Sequence, residues 1–383
     1  MHVTSGTRTP SVLHVTQPVD GGVARVVADL ARGQQAAGIR VVVACPPSGA
    51  LPGLVREAGC EHIAWHATRS PGPTVPRETH RLAAIVDRVR PDVVHAHSAK
   101  AGLAARLAVR GRTPTVFQPH AWSFEAVTGA GARAALKWER FATRWTSRLV
   151  CVSRAEHRTG TAHGIEPPWT LVPNGVDLHR FCPGPPAGTA AALTSATRPL
   201  VVCVGRLCRQ KGQDVLVDAW REVVREVPDA RLVLVGDGPD GARLRAAAPA
   251  SVSFAGPVAD PVPWYRAARL LVLPSRWEGM ALAPLEAMAC GSPVVVTDVA
   301  GARESLPPGL AEAGLVPPQD AHALARALVA LLRAPERLTA LGLEAHQHAH
   351  AHHDVRRTVA AMADVYGDVL GQQSTAHREP ITT

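Results

Sequence analysis

Trp277-Glu278-Gly279-Met280-Ala281-Leu282-Ala283-Pro284-Leu285-Glu286-Ala287-Met288-Ala289-Cys290-Gly291-Ser292-Pro293-Val294-Val295-Val296 follows the apolar run Leu270 to Leu273 and closes on another. Short Leu and Val runs bounded by Pro and Gly predict buried strands. Leu270 to Leu273 is therefore read as a strand, Pro274 to Gly279 as the loop leaving its carboxyl end, and Ala283 to Ala289 as the following helix. In open α/β sheets ligands bind beyond the carboxyl ends of strands, where helix N-termini offer free N–H groups. Glu278 and Glu286 stand eight residues apart, where both can face one polyhydroxylated ligand. A carboxylate accepts hydrogen bonds from two hydroxyls at once, which suits sugar and ribose diols. The plainer alternative makes Glu278 a solvated loop charge and Glu286 a buried structural carboxylate paired with a basic residue.

The same alternation of strand-like and helix-like segments runs outward in both directions. Toward the N-terminus the strands expected are Val12 to Thr16, Arg40 to Ala44, His62 to Trp65, Val93 to His97, Thr115 to Gln118, Leu149 to Ser153 and Thr170 to Val172. A stretch rich in Pro, Gly, Ala and Thr from Phe181 to Pro199 reads as a linker or surface loop. A second series follows at Leu200 to Val204, Arg231 to Val235, Val252 to Phe254, Leu270 to Leu273, Val294 to Thr297 and Gly314 to Val316. Such alternation implies two mostly parallel sheets, each with helices on both faces, and 383 residues suffice for two cores. A last helix is expected from about His352 to Leu370, with Val355, Val359, Met362, Tyr366 and Leu370 at helical spacing.

Composition narrows the class. No apolar run reaches 18 residues, so a membrane span is not expected, and Met1 to Pro10 is polar, without a signal-peptide segment. Seven cysteines occur without a CxxC pair, and Cys45, Cys151 and Cys203 fall in strand-like runs. That usage points to a reducing cytoplasm and to no zinc site. The net charge of +9 favours anionic partners: nucleotide phosphates, lipid headgroups or nucleic acid. Aromatics are few and no nucleic-acid-binding motif is present, so no nucleic-acid partner is expected.

Glycines and cations recur where strands end. The first strand leads into Thr16-Gln17-Pro18-Val19-Asp20-Gly21-Gly22-Val23, whose paired Gly21 and Gly22 precede a helix and would let backbone approach a phosphate; a plain tight turn explains them equally well. Val204-Gly205-Arg206-Leu207-Cys208-Arg209-Gln210-Lys211-Gly212 places a guanidinium and an ammonium beyond the second series' first strand, where they can neutralise a diphosphate. Gly236-Asp237-Gly238-Pro239 follows the next strand. In the first series Gln118-Pro119-His120-Ala121-Trp122 sets an imidazole at a strand end. His95, His97, Ser98 and Lys100 leave another strand, where they are expected to line an acceptor pocket.

With the Gly21-Gly22 pair, VPNGVD, VGRLCRQKGQDVL, GDGP and EGMALAPLEAMACGSPVV in this order along the chain, it resembles the family-4 retaining glycosyltransferases (glycosyl transferases group 1) from about Leu13 to Leu370. The resemblance implies the GT-B architecture, two Rossmann-like doubly wound domains facing across a cleft. Residues 11–182 would be the acceptor-binding domain and 198–350 the nucleotide-sugar-binding domain. Residues 351–370 would be a helix returning to the first domain, with 1–10 and 371–383 as loose tails. Glu286 would hold the donor's ribose hydroxyls. Glu278 and the backbone of Gly279, Met280, Ala281 and Leu282 would hold the sugar, with Gly236 at the nucleotide. Arg206 and Lys211 would bind the diphosphate and stabilise its leaving charge. Gly21 and Gly22 would let the first loop close over the phosphates, and His120 would lie beside the reacting sugar.

The implied chemistry retains anomeric configuration by front-face attack and needs no metal or other cofactor beyond the nucleotide-sugar co-substrate. Glu278 and Glu286 would then be hydroxyl binders rather than a glycosidase acid and nucleophile. Met280-Ala281 stands where the family often has Phe-Gly, so the sugar cradle is expected to differ in shape. The implied acceptor is a glycan, a lipid-linked oligosaccharide or a small molecule such as a secondary metabolite. A nucleotide-sugar epimerase on the same fold and a non-catalytic nucleotide-sugar binder are the competing classes; the binder would be expected to lose Glu278, Arg206 or Lys211, all of which are present.

Two weaker signals remain. Arg133, Lys137, Arg140, Arg144 and Arg148 recur at helical spacing beside Trp138, Phe141 and Trp145. They suggest a peripheral helix on anionic membrane at the inner face of the plasma membrane, or else a helix packed on the sheet with a solvated basic face. His346, His348, His350, His352 and His353 form a tract in which His346, His350 and His353 could share one face, although a solvated segment is the expected reading.

Overall fold

The computed structural model describes residues 10–195 and 198–376, and these divide into two compact units. The first takes the chain up to Val152, Glu156–Val172 and the final helix from Arg356; the second takes Ser153–Ala155 and Pro173–Val355.

The first unit holds seven strands: β1 (Ser11–Thr16), β2 (Arg40–Cys45), β3 (Glu61–Ala64), β4 (Val93–His97), β5 (Thr115–Gln118), β6 (Arg148–Cys151) and β7 (Trp169–Leu171). Their order is β3-β2-β1-β4-β5-β6-β7 and every pairing is parallel. Alternation along the central strands decides what each face holds. Leu13, Val15, Val94 and Ala96 join one core with Phe117 and the helix Ser98–Val109. Each fully buried aliphatic side chain there contributes roughly 1.5–3 kcal/mol. On the other face the same strands carry His14, His95 and His97, each 0% exposed.

The second unit is a six-stranded parallel sheet of β8 (Leu200–Val204), β9 (Arg231–Val235), β10 (Val252–Gly256), β11 (Leu270–Leu273), β12 (Val294–Thr297) and β13 (Leu315–Val316) in the order β10-β9-β8-β11-β12-β13. Strand order reverses between β1 and β4 in one unit and between β8 and β11 in the other. Those are the switch points outside which α/β sheets bind ligands.

Several segments differ from the sequence reading. The expected linker Phe181 to Pro199 contains the short helix Gly188–Ala192, and Ala190 joins the core formed by Leu200, Val202 and Trp264. Phe181, at its start, packs 6.1 Å from the Tyr265 ring. Alanine-rich composition there signals close packing as much as looseness. The helix expected from His352 begins at Val355, because Asp354 pairs as a bridge with Val176 and separates it from the preceding helix Pro335–His352. That last helix extends to Ala376, so residues 371–376 are not a loose tail; residues 1–9 and 377–383 of the expected tails lie outside the described residues. Arg148 opens β6, whose paired backbone removes it from the basic helix, which spans Gly129–Ala142.

Candidate functional site

In the second unit the loops after β8, β9 and β11 form one edge. The first two are zipped by backbone hydrogen bonds, with Leu207 N–H donating to Asp237 O at 3.1 Å and Asp240 N–H to Leu207 O at 3.1 Å. Gly236 makes this approach possible: its φ is +135°, and a Cβ there would collide with the carbonyl oxygen of Gly205. Lys211 ends the short helical turn Arg209–Lys211 and its Nζ lies 2.6 Å from Glu278 Oε1. The same oxygen accepts from Ser275 Oγ at 2.7 Å. Both contacts fall on Oε1, and among the described residues Oε2 has no protein partner. The Arg206 side chain is exposed and pairs with no carboxylate among the described residues. One cation is thus pinned at the switch point and a second stands free beside it.

The chain beyond Glu278 is anchored through its carbonyls. Ser153 Oγ donates to Gly279 O at 3.2 Å and Asn174 Nδ2 to Met280 O at 2.7 Å. The helix Leu282–Ala289 then starts from Ala281 with no side-chain cap, so its first-turn N–H groups remain for a ligand. Glu278, Ser275, Ala281, Pro284 and Thr297 line a small cleft at this point.

Glu286 lies in the same helix, 6% exposed, with Oε2 accepting from Tyr265 OH at 2.5 Å. Burial pushes its carboxyl up to about 7, against the Tyr265 hydrogen bond, which favours the ionised form. The structure alters both halves of the plainer reading. Glu278 is 8% exposed rather than solvated, and the side chain bonded to Glu286 is a phenol rather than a cation. Sequence reasoning missed Ser275 and Tyr265, which lie outside the quoted stretch.

The first unit carries its own loop edge. Gly21 precedes the helix Gly22–Ala36 with φ +79°, a conformation in which a side chain is strained. At the ends of β4 and β5, Ser98, His120 and Ala121 have φ of 70°, 58° and 124°. Left-handed backbone at a non-glycine residue costs about 1–3 kcal/mol and gathers at functional sites. The strained turn is held by Glu156, whose Oε1 accepts from Ala121 N–H and Oε2 from Val152 N–H, both at 2.8 Å. His120 Nε2 lies 3.1 Å from His97 Nδ1, and burial pushes the His120 imidazole down to about 3.

The acceptor-pocket expectation is corrected in part. His95 and His97 are fully buried, and Lys100, 3% exposed, is ion-paired to Glu78 at 2.6 Å, so none of the three lines an open surface. The histidine tract is likewise dispersed. His353 lies beyond the helix end with Nδ1 3.1 Å from Asn174 O, while His346 Nδ1 is 2.9 Å from Ala289 O. Among the described residues the histidines close enough to share an ion are His14, His95 and His97. Within that group His14 Nδ1 and His97 Nε2 are already joined by a hydrogen bond of 2.9 Å.

Comparison with known proteins matches residues 198–334 to the family described as glycosyl transferases group 1, and residues 20–180 to glycosyltransferase family 4. The lipopolysaccharide core biosynthesis mannosyltransferase LpcC of Rhizobium leguminosarum is 34% identical over 242 residues, covering 60% of this chain and 68% of that protein. The UDP-Gal:alpha-D-GlcNAc-diphosphoundecaprenol alpha-1,3-galactosyltransferase of Escherichia coli is 30% identical over 236 residues, covering 57% and 61%. The crystal structure of Anabaena HepE in complex with UDP and glucose superposes with a TM-score of 0.79 at 22% identity over 93% of this chain and 99% of that one, the likeness of a shared GT-B fold.

Proposed function

Because the chain belongs to the group 1, family 4 glycosyltransferases, we propose that it moves a sugar from a nucleoside-diphosphate sugar to an acceptor hydroxyl, with retention of configuration. The observation that carries this reading is the Lys211 ammonium, fixed 2.6 Å from Glu278 at the β8/β11 switch point beside the exposed Arg206. Arg206 and Lys211 hold the diphosphate and stabilise the charge that develops as it departs, so that these two cations supply the electrophilic assistance and no metal is needed. The uncapped helix N-terminus with Gly279, Met280, Ala281 and Leu282 holds the sugar, together with the open oxygen of Glu278. Glu286, oriented by Tyr265, takes the ribose hydroxyls through Oε1, and Gly236 lets backbone approach the nucleotide. In the first unit we assign phosphate binding to Gly21 and Gly22 and a sugar hydroxyl to His120.

Relatives that build lipopolysaccharide core and act on a diphosphoundecaprenol-linked sugar support a glycan or lipid-linked acceptor in polysaccharide or glycolipid synthesis. UDP- and GDP-linked donors head the panel to test. A panel of nucleotide sugars is expected to contain one that raises the melting temperature and then releases nucleoside diphosphate only when acceptor is added. Release at an undiminished rate without acceptor, or epimerised donor, would assign the fold to the epimerase class instead.

We further infer that the enzyme works at the cytoplasmic surface of an anionic membrane. No helix among the described residues is long and apolar enough to cross one. The helix Gly129–Ala142 and the turn after it instead expose Arg133, Lys137, Arg140 and Arg144, with Phe141 44% exposed among them. Each such cation near an anionic surface contributes about 1 kcal/mol. Flotation with phosphatidylglycerol vesicles is expected for the native chain and lost on Arg133→Glu/Lys137→Glu/Arg140→Glu. Equal recovery of both proteins would refute the membrane reading.

A further inference from the structure

A continuous chain of side-chain hydrogen bonds in the first unit ends at His120. Gln34 Oε1 lies 2.8 Å from His14 Nε2, His14 Nδ1 lies 2.9 Å from His97 Nε2, and His97 Nδ1 lies 3.1 Å from His120 Nε2. At the other end Gln34 Nε2 donates to Tyr366 OH at 3.3 Å, and that hydroxyl lies 2.7 Å from His95 Nδ1. Gln34, His14, His95 and His97 are each 0% exposed. Burial holds the imidazoles of His14, His95, His97 and His120 well below their ordinary range, so all four are neutral at pH 7.

A neutral imidazole has one N–H and one lone-pair nitrogen, so a chain of them has a direction. Gln34 Oε1 can only accept, which requires His14 to carry its proton on Nε2. His14 Nδ1 is then an acceptor and draws the Nε2–H of His97. His97 Nδ1 in turn accepts, and it draws the Nε2–H of His120. Turning the Gln34 amide over would reverse every bond and leave His120 protonated on Nδ1 instead.

We propose that His14 and His97 are positioning residues which, with Gln34, hold His120 in the Nε2–H tautomer, so that His120 meets a ligand hydroxyl as an acceptor through Nδ1. The proposal rests on the glycosyltransferase reading only for the nature of that ligand. His120 cannot then serve as a neutral hydrogen-bond donor to the sugar, because its single N–H is committed to His97. The strained backbone of His120 and Ala121 serves the same end, turning the imidazole back onto the sheet face that carries His97.

Long-range proton–nitrogen correlation spectra of the full-length, ligand-free protein at pH 7.5 test this directly. The expected spectrum has His120 with a protonated Nε2 and a lone-pair Nδ1. His97→Gln, whose amide can accept from His120 and donate to His14 in the same sense, is expected to keep that tautomer and most of the activity. His97→Leu removes the acceptor and is expected to leave His120 as a mixture of tautomers, with kcat/KM lowered about tenfold, the worth of one hydrogen bond. Native His120 protonated on Nδ1, or an unaltered tautomer in His97→Leu, would overturn the proposal. If His97→Leu does not fold, the native spectrum decides alone. An Nε2–H tautomer in a protein that transfers no sugar would leave the chain intact and refute only the function.

Discussion

Lys211→Ala is expected to lower kcat for sugar transfer by about 10²–10³-fold, the usual cost of removing one group aimed at developing transition-state charge. The loss should fall on kcat more than on KM, because the diphosphate's negative charge grows as the glycosidic bond breaks. The variant also unpairs Glu278, whose Oε1 is 2.6 Å from the Lys211 ammonium, and so confounds stability with catalysis. The pair is partly open, with side chains 21% and 10% exposed, so its removal costs less than the 3–5 kcal/mol typical of a fully buried pair. Lys211→Met/Glu278→Gln, read against Glu278→Gln alone, separates the two effects, since it leaves no uncompensated charge. The double variant should recover the melting temperature and remain inactive. Activity restored along with stability would mean that Lys211 serves only to hold the loop.

Acidification is expected to unfold the first unit before the second. An unfolded imidazole titrates near 6.5, whereas burial pushes His14 down to about 4 and His120 to about 3. Between those values the unfolded chain binds more protons, so the stability is complete above pH 6.5 and is lost as pH falls. Each of these two histidines costs about 2 kcal/mol at pH 5, and His95 and His97 shift in the same direction.

Glu156 opposes them. Burial pushes its carboxyl from 4.5 up to about 7, so it binds its proton in the folded state first, and the stability it brings at low pH is lost as pH rises through 7. That is about 2–3 kcal/mol in favour of folding at pH 5, against four histidines. In the second unit His353, pushed down to about 4, and Glu286, pushed up to about 7, nearly cancel. Hydrogen exchange at pH 7.5 and pH 5, corrected for intrinsic rate, should show β1 and β4 losing protection while β8 and β11 keep theirs. Unchanged protection in β1 and β4 would contradict the argument.

Legibility in the sequence followed the range of the interaction. Most strands were readable because short Val- and Leu-rich runs mark them; β4, β5, β8, β9, β11 and β12 begin and end where the sequence reading places them. Glu278 and Lys211 were readable as site residues because loops after parallel strands end at one sheet edge, although their direct contact, 67 residues apart, was not. Tyr265 on Glu286, Glu156 on the Ala121 backbone N–H and Tyr366 on His95 join groups whose sequence neighbourhoods give no sign of each other. His95 and His97 were misread as pocket lining because period-2 alternation does not say whether a face is open or covered. The face that carries them is covered by the helix Gly22–Ala36 and the last helix, where Val359 packs against Gly33.

The central claim is that the donor's nucleoside diphosphate binds at the β8/β11 edge of the second unit. A crystal structure with the diphosphate of the preferred donor tests it most directly. The account expects phosphate oxygens on Arg206 and Lys211 and ribose hydroxyls on the Glu286 carboxylate beside Tyr265. A nucleotide seated elsewhere, with Glu286 and Lys211 untouched, would contradict it.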